Sequence, residues 1–139
     1  MILVDTGPLV ALFDPRDTHH GRCVRTLKAI REPIRTTAPV LTEAFHMLAP
    51  DSIGSDRLRD FIAKGGLPVW FFDALTLARA FELMESYADQ AMDLADASLV
   101  VAAESLGVRK VFTIDRDDFA AYRVRRGHRY YPFDVVPQE

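Results

Sequence analysis

Short strand-like runs alternate with amphipathic helical segments along the chain, and this alternation limits the fold more than any other feature of the sequence. The runs predict strands at 2–4, 34–37, 69–72 and 111–114. Apolar residues spaced three and four apart predict helices at 9–13, 18–31, 40–49, 55–64, 75–87 and 93–106. Short strands that are apolar on both faces are typical of a parallel sheet with helices on both sides. The sequence therefore predicts an α/β fold with a central, mainly parallel sheet.

The size and composition of the chain indicate one globular domain over residues 1–139, since no repeat or linker interrupts the pattern. With 49% hydrophobic residues the chain can form a core, and a net charge of −3 argues against a protein with a wholly basic surface. The lone Cys23 cannot form an internal disulfide. No apolar run resembles a signal peptide or reaches the roughly 20 residues of a membrane span. We therefore expect a soluble, cytoplasmic protein.

Two aspartates directly follow predicted strands. Asp5 comes after the strand at 2–4, and Asp115 comes after the strand at 111–114. In open α/β sheets, ligands bind in the crevice beyond the carboxyl ends of the strands. We therefore expect both carboxylates at the same edge of the sheet, as candidates for one site.

Two further acids can reach the same edge from helices. Asp96 falls in the first turn of the helix at 93–106, where the helix dipole favours an acid, and Glu43 falls in the first turns of the helix at 40–49. If these carboxylates converge, their repulsion must be relieved by protonation or by a cation. Oxygen ligands select Mg²⁺ or Mn²⁺, which activate water and stabilise charge on a phosphodiester. Convergence would therefore indicate nuclease or phosphatase chemistry.

Each of these acids also has a purely structural explanation. Asp5 can begin a turn with the two residues after it, because aspartate side chains accept bonds from nearby backbone amides. Asp93 is a natural N-cap, with Asp96 three residues later as in a capping box. Glu43 can be an ordinary solvated charge on a helix surface. A short helix is expected at 119–122, capped by one member of the acidic run Asp115, Asp117 and Asp118.

Four blocks of residues together resemble the signature of PIN-domain ribonucleases in order and spacing. They are Asp5-Thr6 after an Ile-Leu-Val strand, Glu43 on an early helix, the segment 92–97 (Met-Asp-Leu-Ala-Asp-Ala) and the segment 113–119 (Thr-Ile-Asp-Arg-Asp-Asp-Phe). In particular, the chain resembles VapC-type toxins of VapBC toxin–antitoxin systems over essentially its whole length. The two later blocks are fairly specific, whereas the Asp-Thr start alone is a weak signal.

The resemblance implies a three-layer α/β/α PIN-like fold and an endoribonuclease that uses Mg²⁺ or Mn²⁺. It also implies a cognate VapB-like antitoxin that binds over or near the acidic site, and commonly a homodimer. Asp5, Asp96 and Asp115 match the metal ligands of the family. Glu43 completes the acidic quartet, and would bind metal through water or position the nucleophile. One and two metal ions are both compatible with four carboxylates.

Other positions match supporting residues of the family. Thr6 and Thr113 match hydroxyl positions that hold the acids in place. Asp93 and Asp117 match positions that are acidic in only some relatives, so their roles stay open. No departure from the family pattern occurs at the four main acids, which argues against an inactive copy.

The C-terminal part of the chain is rich in cations. Seven lysines or arginines but only three acids lie between positions 109 and 129, and His128, Tyr130 and Tyr131 are interleaved with them. Arginine forks suit phosphates and aromatic faces stack on unpaired bases, so this segment is a candidate RNA-contact surface. An ordinary solvated edge, or a surface that meets an acidic antitoxin segment, is the alternative. The residues assigned to RNA contact are Arg116, Arg123, Arg125 and Arg126.

The remaining conspicuous residues are interpreted structurally. The aromatic segment 70–72 is predicted to form core strand or dimer packing, and the helical stripe of Phe81 and Met84 is predicted to lie in the core. His19 and His20 have no partners at zinc-finger spacing, so we expect surface residues near a helix start.

Three other classes of protein share part of the pattern. An aspartic protease also has an Asp-Thr-Gly block, but its fold is nearly all β, whereas helical periodicity dominates here. A haloacid-dehalogenase-like phosphatase requires a second aspartate two residues after the first, and position 7 is glycine. A non-catalytic PIN-fold module that binds RNA or a protein partner is the alternative to an enzyme.

Overall fold

A computed structural model describes residues 1–138 of the chain. Five of its strands form one sheet in the order β3-β2-β1-β4-β7, in which every neighbouring pair is parallel, and β5 and β6 form a separate antiparallel hairpin. The strands of the described part are β1 Ile2–Val4, β2 Ile34–Thr37, β3 Val69–Trp70, β4 Lys110–Phe112, β5 Arg123–Arg126, β6 Arg129–Pro132 and β7 Asp134–Val136.

The helices flank this sheet and complete the predicted three-layer α/β/α fold. Residues 1–138 contain no helix that is both long and apolar enough to cross a membrane. The helices of the described part are α1 Thr6–Phe13, α2 His20–Ala29, α3 Ala38–Leu48, α4 Ile53–Ala63, α5 Ala74–Ser86, α6 Leu94–Leu106 and α7 Arg116–Ala121, with a short 3₁₀ turn at Ala88–Gln90.

The central strand β1 creates the crevice in which a site can form. It pairs with β2 on one side and with β4 on the other, and all three of its residues are buried. The chain runs outward in one direction through β2 and β3 and in the other through β4 and β7. Ligands bind at such a reversal of strand order, beyond the carboxyl ends of the strands. Here that point lies beside the ends of β1 and β4.

The first helix begins earlier than the sequence predicted. Thr6 already has helical geometry, and Asp5 is the N-cap residue, whose side chain accepts a hydrogen bond from the backbone N–H of Thr6. The structural explanation of Asp5 as the start of a turn with the two residues after it was therefore wrong. Pro8 lies within the first turn of α1, where its missing N–H costs no helical hydrogen bond.

The helix that carries Asp96 begins and ends as the sequence indicated. Asp93 is the N-cap of α6, and its side chain and that of Asp96 form the two bonds of a capping box, which confirms the predicted cap. Gly107 ends the helix in the left-handed conformation, at φ 67°, that glycine adopts without steric cost. The eight residues of α6 that are buried make it the central helix of one layer.

Several expectations about the outer elements were wrong. The strand at 111–114 starts at Lys110 and ends at Phe112, and the strand at 69–72 ends at Trp70. Phe71 is 69% exposed and Phe81 is 55% exposed, so neither belongs to the core of the chain. The hairpin and β7 were not predicted, because their alternation is masked by charged residues and a proline.

Candidate active site

A cavity of about 380 Å³ opens at the carboxyl ends of β1 and β4. Its lining includes residues at the starts of α1, α6 and α7 and residues of α3, together with the segments that directly follow β1 and β4. Among the described residues, no lysine, arginine or histidine lines this cavity. The acidic residues that line it are Asp5, Glu43, Asp93, Asp96, Asp115 and Asp118.

Asp5 lies at the floor of the cavity and is 7% exposed. Its Oδ1 accepts a hydrogen bond of 2.8 Å from the backbone N–H of Thr6, and its Oδ2 accepts one of 2.8 Å from the hydroxyl of Thr113. Burial raises the pKa of Asp5 to about 6. The two hydrogen bonds oppose this shift, and the charges of Glu43 and Asp115 add to it. A buried carboxylate held this way is oriented but poorly solvated.

Asp96 reaches the same cavity from the first turn of α6 and is half-buried. Its Oδ2 accepts a hydrogen bond of 3.1 Å from the hydroxyl of Tyr122, a fully buried side chain. Burial raises the pKa of Asp96 to about 7, and repulsion from Asp93 and Asp5 adds to the shift. The two raised carboxyl pKa values fit a cavity in which no lysine, arginine or histidine of residues 1–138 lines the wall.

Thr113 links the acids at the ends of the two central strands. Its hydroxyl donates to Asp5, and the same oxygen accepts a hydrogen bond of 2.9 Å from the backbone N–H of Asp115. Asp115 occupies the N-cap position of α7, but its side chain makes no capping bond and stays exposed at the cavity. Asp115 therefore has the predicted N-cap position but does not form the capping hydrogen bond. Its carboxylate is available to a ligand for this reason.

Glu43 reaches the cavity from α3 and is half-buried. The orientation of α3 is set at its start, where Thr37 caps the helix and shares a hydrogen bond of 2.6 Å with the hydroxyl of Ser98 on α6. Both of these hydroxyls are buried. This contact ties the helix that carries Glu43 to the helix that carries Asp96.

The structure also locates the supporting residues. Thr6 and Asp93 line the cavity, and the hydroxyl of Thr6 is buried with no hydrogen-bond partner among residues 1–138. Asp117 is exposed and lies outside the lining, whereas Asp118 is part of it. Hydrogen bonding to Asp115 and burial raise the pKa of Asp118.

Sequence reasoning missed the roles of Asp118 and Tyr122. Asp118 could have been found, because it lies three residues after Asp115 and a helix through 116–121 places the two on one face. No local pattern points to Tyr122, whose contact with Asp96 joins positions 26 residues apart.

The lining residues fit a hard divalent cation, as judged by their chemistry. The carboxylates of the cavity supply oxygen ligands, and a bound cation would relieve the repulsion that contributes to the raised pKa values of Asp5 and Asp96. In the part of the chain that is described, no three carboxylate, imidazole or thiolate groups are already arranged to hold a metal ion. Mg²⁺ keeps several waters and is commonly bound through one or two carboxylates, so a closed set of three protein ligands is not required.

The arginines assigned to RNA contact do not line the cavity. Arg116 donates to the backbone carbonyl of Pro137, and Arg123 donates to carbonyls at the end of α7, among them that of Ala120 at 2.7 Å. Arg126 lies beside Gly107, at the end of α6 remote from Asp96. Contact between these cations and RNA thus requires a surface that extends well beyond the acidic site.

The chain combines a parallel α/β/α sandwich with an acidic cavity at the switch point of its sheet. The model of the PIN domain family matches residues 2–125. The chain therefore belongs to the PIN-domain family.

Relatives of known type resemble the chain over nearly all of its length. Ribonuclease VapC26 of Mycobacterium tuberculosis is 28% identical over 140 residues, covering 98% of this chain and 100% of the relative. The crystal structure of Mycobacterium tuberculosis VapC20, a sarcin-ricin loop cleaving toxin, matches with a TM-score of 0.79 and 20% identity, covering 87% of this chain and 95% of that one. A toxin–antitoxin complex from Klebsiella pneumoniae matches with a TM-score of 0.67 and 20% identity, covering 87% and 92%. The VapC-type resemblance and the three-layer fold are thereby confirmed.

Proposed function

We propose that the protein is a metal-dependent endoribonuclease that hydrolyses RNA phosphodiester bonds, and that it is the toxin of a type II toxin–antitoxin pair. The observation that carries this proposal is the cavity in which Asp5 and Asp96 meet, with both pKa values raised and no cation among the described lining residues. The names of the relatives support the ribonuclease activity, because VapC26 and VapC20 are a ribonuclease and an RNA-cleaving toxin.

Asp5, Asp96 and Asp115 are proposed to hold Mg²⁺ or Mn²⁺. Asp5 has both oxygens oriented by hydrogen bonds, whereas the carboxylate of Asp115 is exposed at the rim beside Asp118, so the buried acid would set the position of the metal and the exposed one would adapt to it. When bound, the metal supplies an activated water and stabilises the charge that develops on the phosphodiester.

The other polar residues are proposed to orient these groups and the attacking water. Glu43 lines the same cavity and would accept a hydrogen bond from the water that attacks phosphorus. The unpartnered hydroxyl of Thr6 can donate to a water or a phosphate oxygen in the cavity. Thr113 and Asp93 keep Asp5 and Asp96 in place through the bonds described above. Asp117 is proposed only to add negative charge near the rim of the cavity.

The partners are proposed from the relatives and from the acidity of the site. A VapB-like antitoxin is supported by the structural match to a toxin–antitoxin complex. A segment of the antitoxin that carries arginine would complement an acidic cavity. We further propose a homodimer, for which the exposed Phe71 and Phe81 are available, and a cytoplasmic location, where the RNA substrate and the antitoxin are synthesised.

The deciding experiment is cleavage of total cellular RNA by the purified, antitoxin-free protein with Mg²⁺, with Mn²⁺ and with EDTA. Asp96→Asn keeps the shape of the side chain and removes its charge, and is expected to lower the cleavage rate at least about 100-fold, because it removes a metal ligand. Asp56→Asn is the matched control, since Asp56 is an exposed acid in the first turn of α4, remote from the cavity. It should cleave at the parent rate.

The outcomes separate an enzyme from a binding module. Discrete fragments that require metal and Asp96 support the nuclease. If the folded parent protein produces no fragments in any metal, or if Asp96→Asn cleaves like Asp56→Asn, the metal-dependent site is wrong and the protein is a module that binds RNA or a protein.

A further inference from the structure

We propose that the β5–β6 hairpin is a second RNA-binding surface, which holds an unpaired segment of the substrate several nucleotides away from the scissile bond. The proposal rests on the proposed function, since it assigns the hairpin to the same substrate. It adds that the substrate is recognised as an extended strand at two separate places.

The pairing of the hairpin defines which side chains share a face. Arg125 lies opposite Tyr130, and Arg123 lies opposite Pro132, so these pairs form one face. Arg125 is exposed and Tyr130 is 62% exposed. A guanidinium beside an exposed phenol ring offers a phosphate ligand and a stacking surface within the reach of one nucleotide.

The other face attaches the hairpin to the body of the protein. Val124 is 1% exposed, and its cross-strand partner Tyr131 packs under Arg109, whose guanidinium carbon lies 5.6 Å from the centre of the ring. The backbone N–H of Arg125 donates to Glu104 on α6 across 2.8 Å. These contacts fix the hairpin to the body of the protein, and the fold thereby sets the outward position of Arg125 and Tyr130.

The tip of the hairpin carries an electrostatic cost that a polyanion would relieve. Arg126 lies directly opposite Arg129, and like charges at opposite positions destabilise a strand pair. The tip turns at Gly127, whose φ of 60° suits a two-residue hairpin loop that begins with glycine. Within residues 1–138, no carboxylate forms an ion pair with Arg125, Arg126 or Arg129. The hairpin is therefore a local basic patch on a chain whose net charge is −3.

The distance from the cavity determines the kind of ligand that can use both surfaces. The hairpin lies along α6, from Arg123 near Tyr87 to Arg126 beside Gly107. Arg125 is bonded to Glu104, and from Asp96 to Glu104 the axis of α6 rises about 12 Å, at roughly 1.5 Å per residue. A stacked strand advances about 3.4 Å per nucleotide, so the hairpin would contact a base about three to four nucleotides from the one at the acids. A continuous single strand of RNA is long enough to reach both surfaces, and its phosphates carry the negative charge that the arginines of the hairpin would bind.

The test measures binding of a fluorescein-labelled 20-nucleotide oligouridylate to the full-length protein in EDTA, by anisotropy, from 25 to roughly 200 mM salt. The variant Arg125→Thr is expected to weaken binding at least about fivefold and to make the slope of log affinity against log salt shallower by about 0.7, the value expected for one phosphate contact to a single strand. Tyr130→Thr is expected to weaken binding about fivefold or more, with little change in the salt slope, because it removes a stacking surface and no charge. Threonine preserves the strand propensity.

The matched control removes the same number of charges elsewhere. Arg22→Ala deletes one exposed cation of α2 and should leave the affinity within about twofold. If the control and the hairpin variant lose equal affinity, or if Tyr130→Thr binds like the parent, the hairpin surface is wrong. An acidic oligoglutamate peptide tests the alternative partner: weakened peptide binding with unchanged oligouridylate binding would assign the hairpin to a protein and overturn the proposal.

Failure of this proposal can be told apart from failure of the proposed function. A protein that cleaves RNA with metal, but whose hairpin variants bind oligouridylate normally, is a nuclease without the second surface. A protein that cleaves nothing, but loses affinity in the hairpin variants, has the surface without the activity.

Discussion

The hydroxyl of Tyr122 donates to Oδ2 of Asp96 across 3.1 Å, and so joins an aromatic cluster to the acidic cavity. Tyr122 is fully buried, and its ring packs edge-on against Tyr87 and Phe119 with centroids 5.2 Å apart in both cases. A side chain locked on both sides in this way holds one oxygen of the carboxylate in a defined place.

Tyr122→Phe is expected to weaken Mn²⁺ binding and cleavage by about tenfold, in the range of changes seen when a hydrogen bond to a metal ligand is lost. Because the hydroxyl stabilises the charged form of Asp96, its loss should also raise the pKa of Asp96, and the acidic limb of the pH–rate profile should move to higher pH. Calorimetric titration with Mn²⁺ and a pH–rate profile measure the two effects separately.

Tyr87→Phe is the control for this variant. It removes a hydroxyl from the neighbouring ring, one that accepts a bond from the backbone N–H of Arg123 and does not contact Asp96. Its metal affinity and pH profile should match those of the parent. Equal shifts in both variants would attribute the effect to packing and contradict the positioning role of Tyr122.

The buried carboxylates make the stability of the metal-free protein depend on pH. The pKa of Asp5 is raised from 3.8 to about 6, so the folded state binds a proton that the unfolded state has lost between these values. The contribution of Asp5 to the free energy of unfolding is therefore fully present below pH 3.8, and it is lost as the pH rises towards 6. Asp5→Asn cannot ionise, and relative to the parent its free energy of unfolding should rise with pH by roughly 3 kcal/mol before levelling off above pH 6.

This pH dependence can be measured by urea unfolding in EDTA between about pH 4 and 8. Loss of a hydrogen bond in Asp5→Asn adds an offset that does not vary with pH, so only the slope of the difference tests the assignment. Addition of Mn²⁺ at pH 7 should stabilise the parent and not the variant. A difference between the two proteins that stays constant over the whole pH range would mean that Asp5 ionises normally in the fold.

Gly7 permits the close approach of α1 to the loop that carries Asp115. A Cβ at this position would lie 2.6 Å from Cγ1 of Ile114, a branched side chain with restricted rotamers. Gly7→Ala is therefore expected to destabilise the protein by about 1–3 kcal/mol, less the gain in helix propensity, and to lower cleavage further by displacing Asp115. Thermal unfolding and the cleavage rate are the measurements.

A second-site change and a matched glycine test that explanation. Ile114→Ala removes the clashing atoms, so the double variant should recover stability and activity relative to Gly7→Ala alone. Gly21→Ala in α2 would meet only the end of the flexible Arg25 side chain, at 3.3 Å, and should be neutral or stabilising. Independent, additive effects of Gly7→Ala and Ile114→Ala would show that the two residues do not compete for space.

The sequence by itself determined the helices and the first four strands of this protein, and the strand and helix ends at which its acids lie. Strand and helix periodicity depends on neighbouring residues, so β1, α6 and the caps at Asp93 and Gly107 could be predicted from short windows. Because parallel strands end at one edge of a sheet, the meeting of Asp5 and Asp115 at that edge followed from the alternation of strands and helices.

Only the tertiary structure decided which side chains complete the site and which surfaces remain outside it. The contact of Tyr122 with Asp96, the pairing of β4 with β7 and the attachment of the hairpin to α6 join residues that are distant in sequence. Such contacts are selected by the packing of whole elements, and no local propensity reports them. The raised pKa values of Asp5 and Asp96 have the same origin, because burial depends on everything that surrounds a carboxylate rather than on its neighbours in the chain.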